Sequence, residues 1–328
     1  MEKKQVINLF NSFNKKTIVI IGDVMVDSYV LGNVSRISPE APVPILSLKN
    51  REERLGGASN VALNIQSVGA TPILCSVIGQ DETGITFMDL LSKQNISNHY
   101  ILRDKSRKTS KKTRIIANNQ QLLRVDDEDT VDISESTSKR LVNSINNIIN
   151  SQKIDGLLFQ DYNKGVINKH IIENIIQIAN KNNIPVLVDP KKSNFNDFKN
   201  ITLFKPNLKE LKEGLNFDLD INNSKTTGEQ LIKFINKNKI HSILLTLSEQ
   251  GVIVCSKNEF HHIPAEIRDI ADVSGAGDTV ISIASLCVAS NIPLYETAYI
   301  SNLAGGLVCE SAGVIPINKE KLIKELTS

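Results

Sequence analysis

The chain has 328 residues, with 38 Lys and Arg against 36 Asp and Glu, 41% apolar residues, five His, four Cys and no Trp. At about 150 residues per domain the length suggests roughly two domains, although one α/β sheet protein can occupy all of it, and a core of this size needs neither disulfides nor a structural metal. A net charge of +2 without a block of like charge offers no basic surface for nucleic acid and no charged tail, so a small-molecule partner is expected.

The first expected element is a short amphipathic helix over 2–14, with Val6, Leu9, Phe10 and Phe13 on one side. Thr17 to Ile21 is a continuous β-branched run, as in a strand buried on both faces, and Gly22-Asp23 ends it. From Val24 to Lys49 short extended pieces are interrupted by SRISPEAP, whose prolines exclude a helix. Residues 98–125 repeat this character: HYILRD, then KKTRIIA and QQLLRVD around a hairpin turn at Asn118-Asn119. These strands do not alternate with helices. They predict a small separate sheet assembled from insertions at about 24–52 and 98–125.

Elsewhere strand and helix alternate. Helices are expected over 57–68, 83–93 and 168–181, and strands over 72–77, 154–159 and 185–188. Such alternation implies a mainly parallel sheet covered by helices on both faces. The last third adds a helix after Pro206, another over 225–238, strands over 242–247 and 252–255, and two apolar helices over 277–310. No repeat or low-complexity linker divides the chain, so one domain over 1–328 is expected, in an α/β class with a small β-sheet lid.

Cys75, Cys255, Cys287 and Cys309 lie far apart in apolar surroundings and read as buried thiols of a reducing compartment. The N-terminal MEKKQVINLFNSFNKK lacks the pattern of a signal peptide, and no stretch approaches the ~20 apolar residues of a membrane span. A cytoplasmic location is expected.

The sharpest local feature is Asp272-Val273-Ser274-Gly275-Ala276-Gly277-Asp278-Thr279, directly before an apolar helix. Small residues let backbone N–H groups approach a ligand, and the helix N-terminus adds partial positive charge, which together make an anion site. Ordinary capping by Ser-Gly with an early Asp is the simpler alternative, but two glycines flanking Ala exceed what a cap needs. Val280 breaks a dinucleotide fingerprint, and the phosphate loop G-x-x-x-x-G-K-[ST] is absent. A second glycine pair, Gly56-Gly57, opens a helix that carries Asn60. Asp23 and Asp27, the loop Asp161-Tyr162-Asn163-Lys164-Gly165, Asp189-Pro190-Lys191 and the helix start Lys205-Pro206-Asn207-Leu208-Lys209-Glu210 all follow strands, where ligands of open α/β sheets sit. The histidines show no metal-ligand spacing, and no G-x-S-x-G occurs.

Taken in order, Gly22-Asp23-x-x-x-Asp27, Gly56-Gly57-Ala-x-Asn60, the Asp161-Tyr-x-Lys164-Gly loop, Lys-Pro-Asn207-x-x-Glu210 and Ser274-Gly-Ala-Gly-Asp278 resemble the ribokinase-like (PfkB) carbohydrate kinases from about residue 16 to 315. The runs SRISPEAPVPI, EERLGGASNVALNI, NNQQLLRVD, DYNKG, VDPK and TLSEQGV are similar to the branch of that family that acts on D-glycero-β-D-manno-heptose 7-phosphate. Ser248, where many ribokinase relatives have Gly, agrees with that branch. Lys205, where Thr is often found, departs from it. No H-x-G-H appears, so a separate enzyme is expected to supply the nucleotidyltransferase step.

The resemblance implies a three-layer α/β/α fold with a β lid, ATP and Mg²⁺ as cofactors, and a homodimer formed through the lid sheet. It implies phosphorylation of the anomeric hydroxyl of the heptose 7-phosphate on the route to ADP-heptose and the lipopolysaccharide core. Asp278 would be the base, and the amides of Gly275, Ala276 and Gly277 would hold the phosphoryl oxygens. Asn207 and Glu210 would orient Mg²⁺ through water, with Thr246, Ser248, Gly251 and Asn302 lining the nucleotide. Asp27, Gly56, Gly57 and Asn60 would meet the sugar hydroxyls, with Asp161 and Asp189 on the substrate side. Arg36, Lys112, Arg114, Arg124, Lys164 and Lys191 are the cations expected to meet the sugar's phosphate. The rival readings are another sugar kinase of this fold, acting on ribose or 2-keto-3-deoxygluconate, and a non-catalytic sugar-phosphate module.

Overall fold

The computed structural model describes residues 2–118, 120–215, 221 and 223–328. Helix α1 (Lys3–Phe13) buries Val6, Leu9, Phe10 and Phe13 and leads into β1 (Thr17–Gly22). Along β1, Ile18 and Ile20 enter one apolar core and Val19 and Ile21 the other, so the β-branched run is that of a strand covered on both sides.

Strands β2 (Val24–Ile37) and β3 (Pro44–Gly57) form a long antiparallel pair that returns to the body at α2 (Ala58–Ser67). There follow β4 (Thr71–Gly79), α3 (Glu82–Lys93) and β5 (Ile101–Asp104). A second hairpin, β6 (Ser110–Ala117) with β7 (Gln120–Asp127), lies beside β2 and completes a four-stranded sheet ordered β3-β2-β6-β7. Asn118 takes the left-handed conformation at the hairpin turn (φ 51°), and Asn119 lies outside the described residues.

The chain continues through α4 (Glu135–Ser151), β8 (Gly156–Gln160), α5 (Lys169–Lys181), β9 (Val186–Asp189), β10 (Leu203–Phe204), α6 (Leu208–Leu215) and α7 (Ser224–Asn238). It ends with β11 (Ser242–Thr246), β12 (Val252–Ser256), β13 (Phe260–Ile263), α8 (Ala276–Ala289), α9 (Leu294–Val308) and α10 (Lys319–Thr327). The large sheet has nine strands in the order β13-β12-β11-β10-β9-β8-β1-β4-β5, parallel from β5 to β11 and antiparallel at β12 and β13. One core joins α1, α2, α8 and α9 to one face, and the other joins α4, α5 and α7 to the opposite face.

One expectation needs correction. HYILRD does not belong to the small sheet: its strand β5 pairs parallel with β4 at the edge of the large one. Ile101 is buried in one core and Leu102 packs against the other, and an edge of the main sheet satisfies both. The insertions that build the small sheet therefore span 24–57 and 110–127. Helices α4 and α10 and strands β10 and β13 add to the expected elements. All four cysteines are buried and unpaired, and among the described residues no helix is long and apolar enough to cross a membrane.

Candidate active site

The loop after β13 turns into α8 at Gly275, whose φ of 85° is a left-handed conformation that favours glycine. The first N–H groups of a helix have no intrahelical partner, so the start of α8 offers donors with the positive end of the helix dipole, of which Ala276 N–H donates to the Val273 carbonyl (3.3 Å). Asp278 lies in this first turn, 5% exposed. Its Oδ2 accepts from Asn60 Nδ2 (2.8 Å), and its Oδ1 from Tyr162 Oη (2.6 Å) and Gln160 Nε2 (3.0 Å). Burial pushes its pKa up to about 6 against the hydrogen bonds from Asn60 and Tyr162; the charge of Asp189 adds to the rise and that of Lys205 opposes it.

Asn60 reaches Asp278 because α2 starts abruptly. Gly57 has φ 61°, and a Cβ there would strike the Asp23 carbonyl, while a Cβ on Gly56 would strike the Asp27 carboxylate. Asp23 itself accepts N–H groups from Tyr162, Lys164 and Val166, which fixes the loop after β8. On the other side of Asp278, Asp189 is paired with the buried Lys205 ammonium at 3.1 Å. Lys205 also neighbours the anion loop, lying 3.6 Å from where a Cβ of Gly277 would stand.

Beside Asp278 opens a cleft of about 830 Å³, lined by the anion loop, Asp189, Lys191, Lys205, Asn207 and Glu210. Thr246, Ser248, Gly251 and Asn302 line it too, so all six residues expected at the nucleotide meet in one cavity. Asn207 and Glu210 cap α6 reciprocally: Asn207 N–H donates to Glu210 Oε2 (2.9 Å) and Glu210 N–H to Asn207 Oδ1 (2.8 Å). The other Glu210 oxygen accepts from Lys191. Burial works against the Lys191 charge, yet Asp189 and Glu210 raise its pKa overall. Ser248 has φ 54°, which accounts for glycine at this position in many relatives. Apart from Val273 in the anion-loop run, the apolar wall of the cleft, with Ile267, Ile270, Tyr299 and Leu303, carries no sequence motif.

The small sheet covers the opposite side. Asp27 Oδ1 accepts from Arg114 (2.5 Å), and the guanidinium groups of Arg54 and Arg114 lie 5.0 and 5.3 Å from the centre of the Tyr29 ring. Lys112 is paired with Asp126 (3.3 Å) and Glu128 (3.2 Å), and Lys164 with Glu128 (2.5 Å). Arg124, across the sheet from Arg114, is half exposed and paired with Asp126.

Two of the expected substrate residues have other surroundings in the structure. Arg36 is exposed and nine positions beyond Asp27 on β2, about 30 Å at strand rise, so within one chain it does not join the site. Asp161 accepts from Asn163 N–H (2.8 Å) and Asn194 Nδ2 (2.9 Å), so both oxygens brace the loop itself. Conversely, Gln160 and Tyr162 touch Asp278 directly although neither was singled out. Only the position of Tyr162 inside the DYNKG run could have signalled it.

A carboxylate can serve as a general base only when it is ionised. If Asp278 has that role, turnover is expected to be flat above about pH 7 and to fall tenfold per unit below about pH 6. A pH profile of kcat checks this; a rate unchanged down to pH 5 would contradict the pKa.

The model of the family described as pfkB family carbohydrate kinase matches residues 15–321. The chain is 38% identical over 299 residues to the bifunctional protein HldE of Aliarcobacter butzleri, covering 91% of this chain and 62% of that one. It is 34% identical over 324 residues to that of Trichlorobacter lovleyi, covering 98% and 65%. It thus spans a little under two thirds of the length of these curated relatives. Among solved structures, phosphofructokinase-2 from Escherichia coli in complex with substrates and products superposes with a TM-score of 0.77 at 19% identity, covering 95% of this chain and 100% of that one. Arabidopsis thaliana ribokinase complexed with ribose and ATP gives 0.69 at 16% identity, covering 94% and 98%. These likenesses establish the ribokinase-like fold. With the family model matched from ahead of β1 into α10, and the buried acid set beside the anion loop, the chain belongs to the pfkB family of carbohydrate kinases.

Proposed function

We propose that the chain transfers the γ-phosphoryl group of ATP to the anomeric hydroxyl of D-glycero-β-D-manno-heptose 7-phosphate, releasing ADP and giving the 1,7-bisphosphate, a step toward ADP-heptose. The observation that carries the reading is Asp278, a buried acid with pKa about 6 at the junction of cleft and lid, in the first turn of α8. It takes the hydroxyl proton as the C1 oxygen bonds to phosphorus and the bond to the ADP oxygen breaks. Phosphoryl transfer is mainly positioning and charge stabilisation. The amides of Gly275, Ala276 and Gly277 and the Lys205 ammonium suit that charge.

Asn207 and Glu210 supply hard oxygen donors facing the cleft. Among the described residues no three His, Cys, Asp or Glu side chains cluster as a metal cage, which suits Mg²⁺, an ion that keeps most of its waters and shares phosphate oxygens. Bound there, Mg²⁺ would neutralise charge on the phosphates. Asp27, Gly56, Gly57 and Asn60 would hold the sugar hydroxyls. Arg114, Lys112 and Lys164 stand on the lid side for the 7-phosphate, a group that ribose and 2-keto-3-deoxygluconate lack, the latter carrying a carboxylate instead. A kinase assay over a panel of sugars and sugar phosphates tests the reading: heptose 7-phosphate is expected to be the preferred acceptor, and turnover of an unphosphorylated sugar alone would overturn it.

The homodimer belongs to the same proposal. Leu123 and Val125 fall on one face of β7, about half exposed, with Leu48 on β3 and Ile37 on β2 exposed elsewhere in the same sheet. An uncovered apolar sheet face of this kind suits a second copy. The double change Leu123→Asp and Val125→Asp is expected to give a monomer by light scattering, and a wild-type sample already monomeric would remove the argument.

A further inference from the structure

Gln160 is 1% exposed at the end of β8, in register with Gly22 on one side and Asp189 on the other. Its backbone carbonyl accepts the Asp23 N–H (3.2 Å), and a Cβ on Gly22 would strike that carbonyl, so the main chain is fixed from its neighbour strand. The side chain reaches toward α8. Its Nε2 lies 3.0 Å from Asp278 Oδ1 and 3.1 Å from Asp189 Oδ2. Ionised carboxylates only accept hydrogen bonds, so both contacts require the amide nitrogen and fix the orientation of the group. The price is visible at the other end, where Oε1 is buried without a hydrogen-bond partner. Buried polar atoms are nearly always paired, and a core amide chosen for packing would satisfy both ends. This one commits its donors to two acids.

We propose that Gln160 is a positioning residue for the phosphoryl transfer, holding the Asp278 carboxylate in place with one N–H while the other secures Asp189. The inference rests on Asp278 as the base. Without the amide, the Asp278 and Asp189 carboxylates would face each other with the Lys191 and Lys205 ammonium groups alone to offset their charge. Asp278 would be left with Asn60 and Tyr162 alone, which contact it from α2 and from the loop after β8. Two bonds to opposite oxygens restrain a carboxylate less than three, and a base misplaced by ~1 Å can cost about 10² in rate.

The test compares wild type with Gln160→Met, which keeps the length and loses the donors, using ATP, Mg²⁺ and whichever sugar of the panel the wild type phosphorylates fastest. Should that sugar not be heptose 7-phosphate, the substrate reading fails while this test still runs. For Gln160→Met, kcat is expected to fall by about 10² with both KM values within a factor of two. The acidic limb of the kcat profile is expected to move to higher pH, because a hydrogen bond to the charged form is lost while Asp189, Lys191, Lys205, Asn60 and Tyr162 still face the group. Gln160→Asn, whose shorter amide keeps its donors but cannot span both acids, supplies the same readouts if the Met variant fails to fold. A kcat within threefold of wild type, a loss confined to KM, or a lower kcat with an unmoved acidic limb would overturn the proposal.

Discussion

Asp278→Asn is expected to abolish sugar-dependent ADP release while leaving ATP binding within a few-fold of wild type. A positioned base contributes typically 10²–10⁴ in rate, and here the carboxylate also accepts from Asn60, Gln160 and Tyr162, donors that an amide with its single oxygen meets only in part and without a site to accept the proton. The cleft is lined mainly by other groups, so its affinity for nucleotide survives. Stability is expected to change in the opposite sense. The folded pKa of Asp278 lies near 6, above the ~3.9 of a free Asp. The fold therefore binds this proton more tightly than the unfolded chain does, a stabilisation present below about pH 4 and lost as the pH rises through 6. At pH 8 the variant escapes the burial of that charge, so its Tm is expected to exceed that of wild type. Near-wild-type turnover in a coupled ADP assay would exclude Asp278 as the base.

Lys205→Met is expected to cost both activity and stability. Lys205 is 3% exposed, and its ammonium is the cation paired with Asp189, 3.1 Å away. Removing one partner of a buried pair leaves an uncompensated charge, typically at about 3–5 kcal/mol. The same ammonium borders Gly277 and opposes the raised pKa of Asp278. Loss of one preorganised charge at a phosphoryl site is worth about 10²–10³ in kcat. The double variant Lys205→Met with Asp189→Asn separates the two effects: thermal melts are expected to recover, because the stranded charge is gone, while kcat is not. A single variant with wild-type Tm and kcat would show that Lys205 merely replaces the Thr common in relatives.

Much of the fold was legible because its signals are local. β1 could be read from a β-branched run, α8 and α9 from continuous apolar stretches, and the α/β layering from alternation. The misplacement of β5 has a physical cause. Four residues of ILRD look alike in a lid or in a sheet edge, and only burial of Ile101 and Leu102 against opposite cores decides between them. Helix α4 buries Leu141, Ile145 and Ile148 at helical spacing, but its polar face and mean composition hide that stripe among Asn and Ser. For the site, glycine-rich loops carry their own chemistry and could be found at Gly275 and Gly56. The roles of Gln160 and Lys205 could not, since they arise from four elements meeting: the ends of β8, β9 and β10 and the first turn of α8.

The position of the new phosphate decides which reaction the chain carries out. Incubating the protein with ATP, Mg²⁺ and heptose 7-phosphate and following the mixture by ³¹P NMR tests it directly. The account predicts ADP together with a sugar bisphosphate whose new phosphorus couples to the anomeric proton. A new phosphate on any other carbon, or no product beside an active ribose or ketodeoxygluconate control, would contradict it.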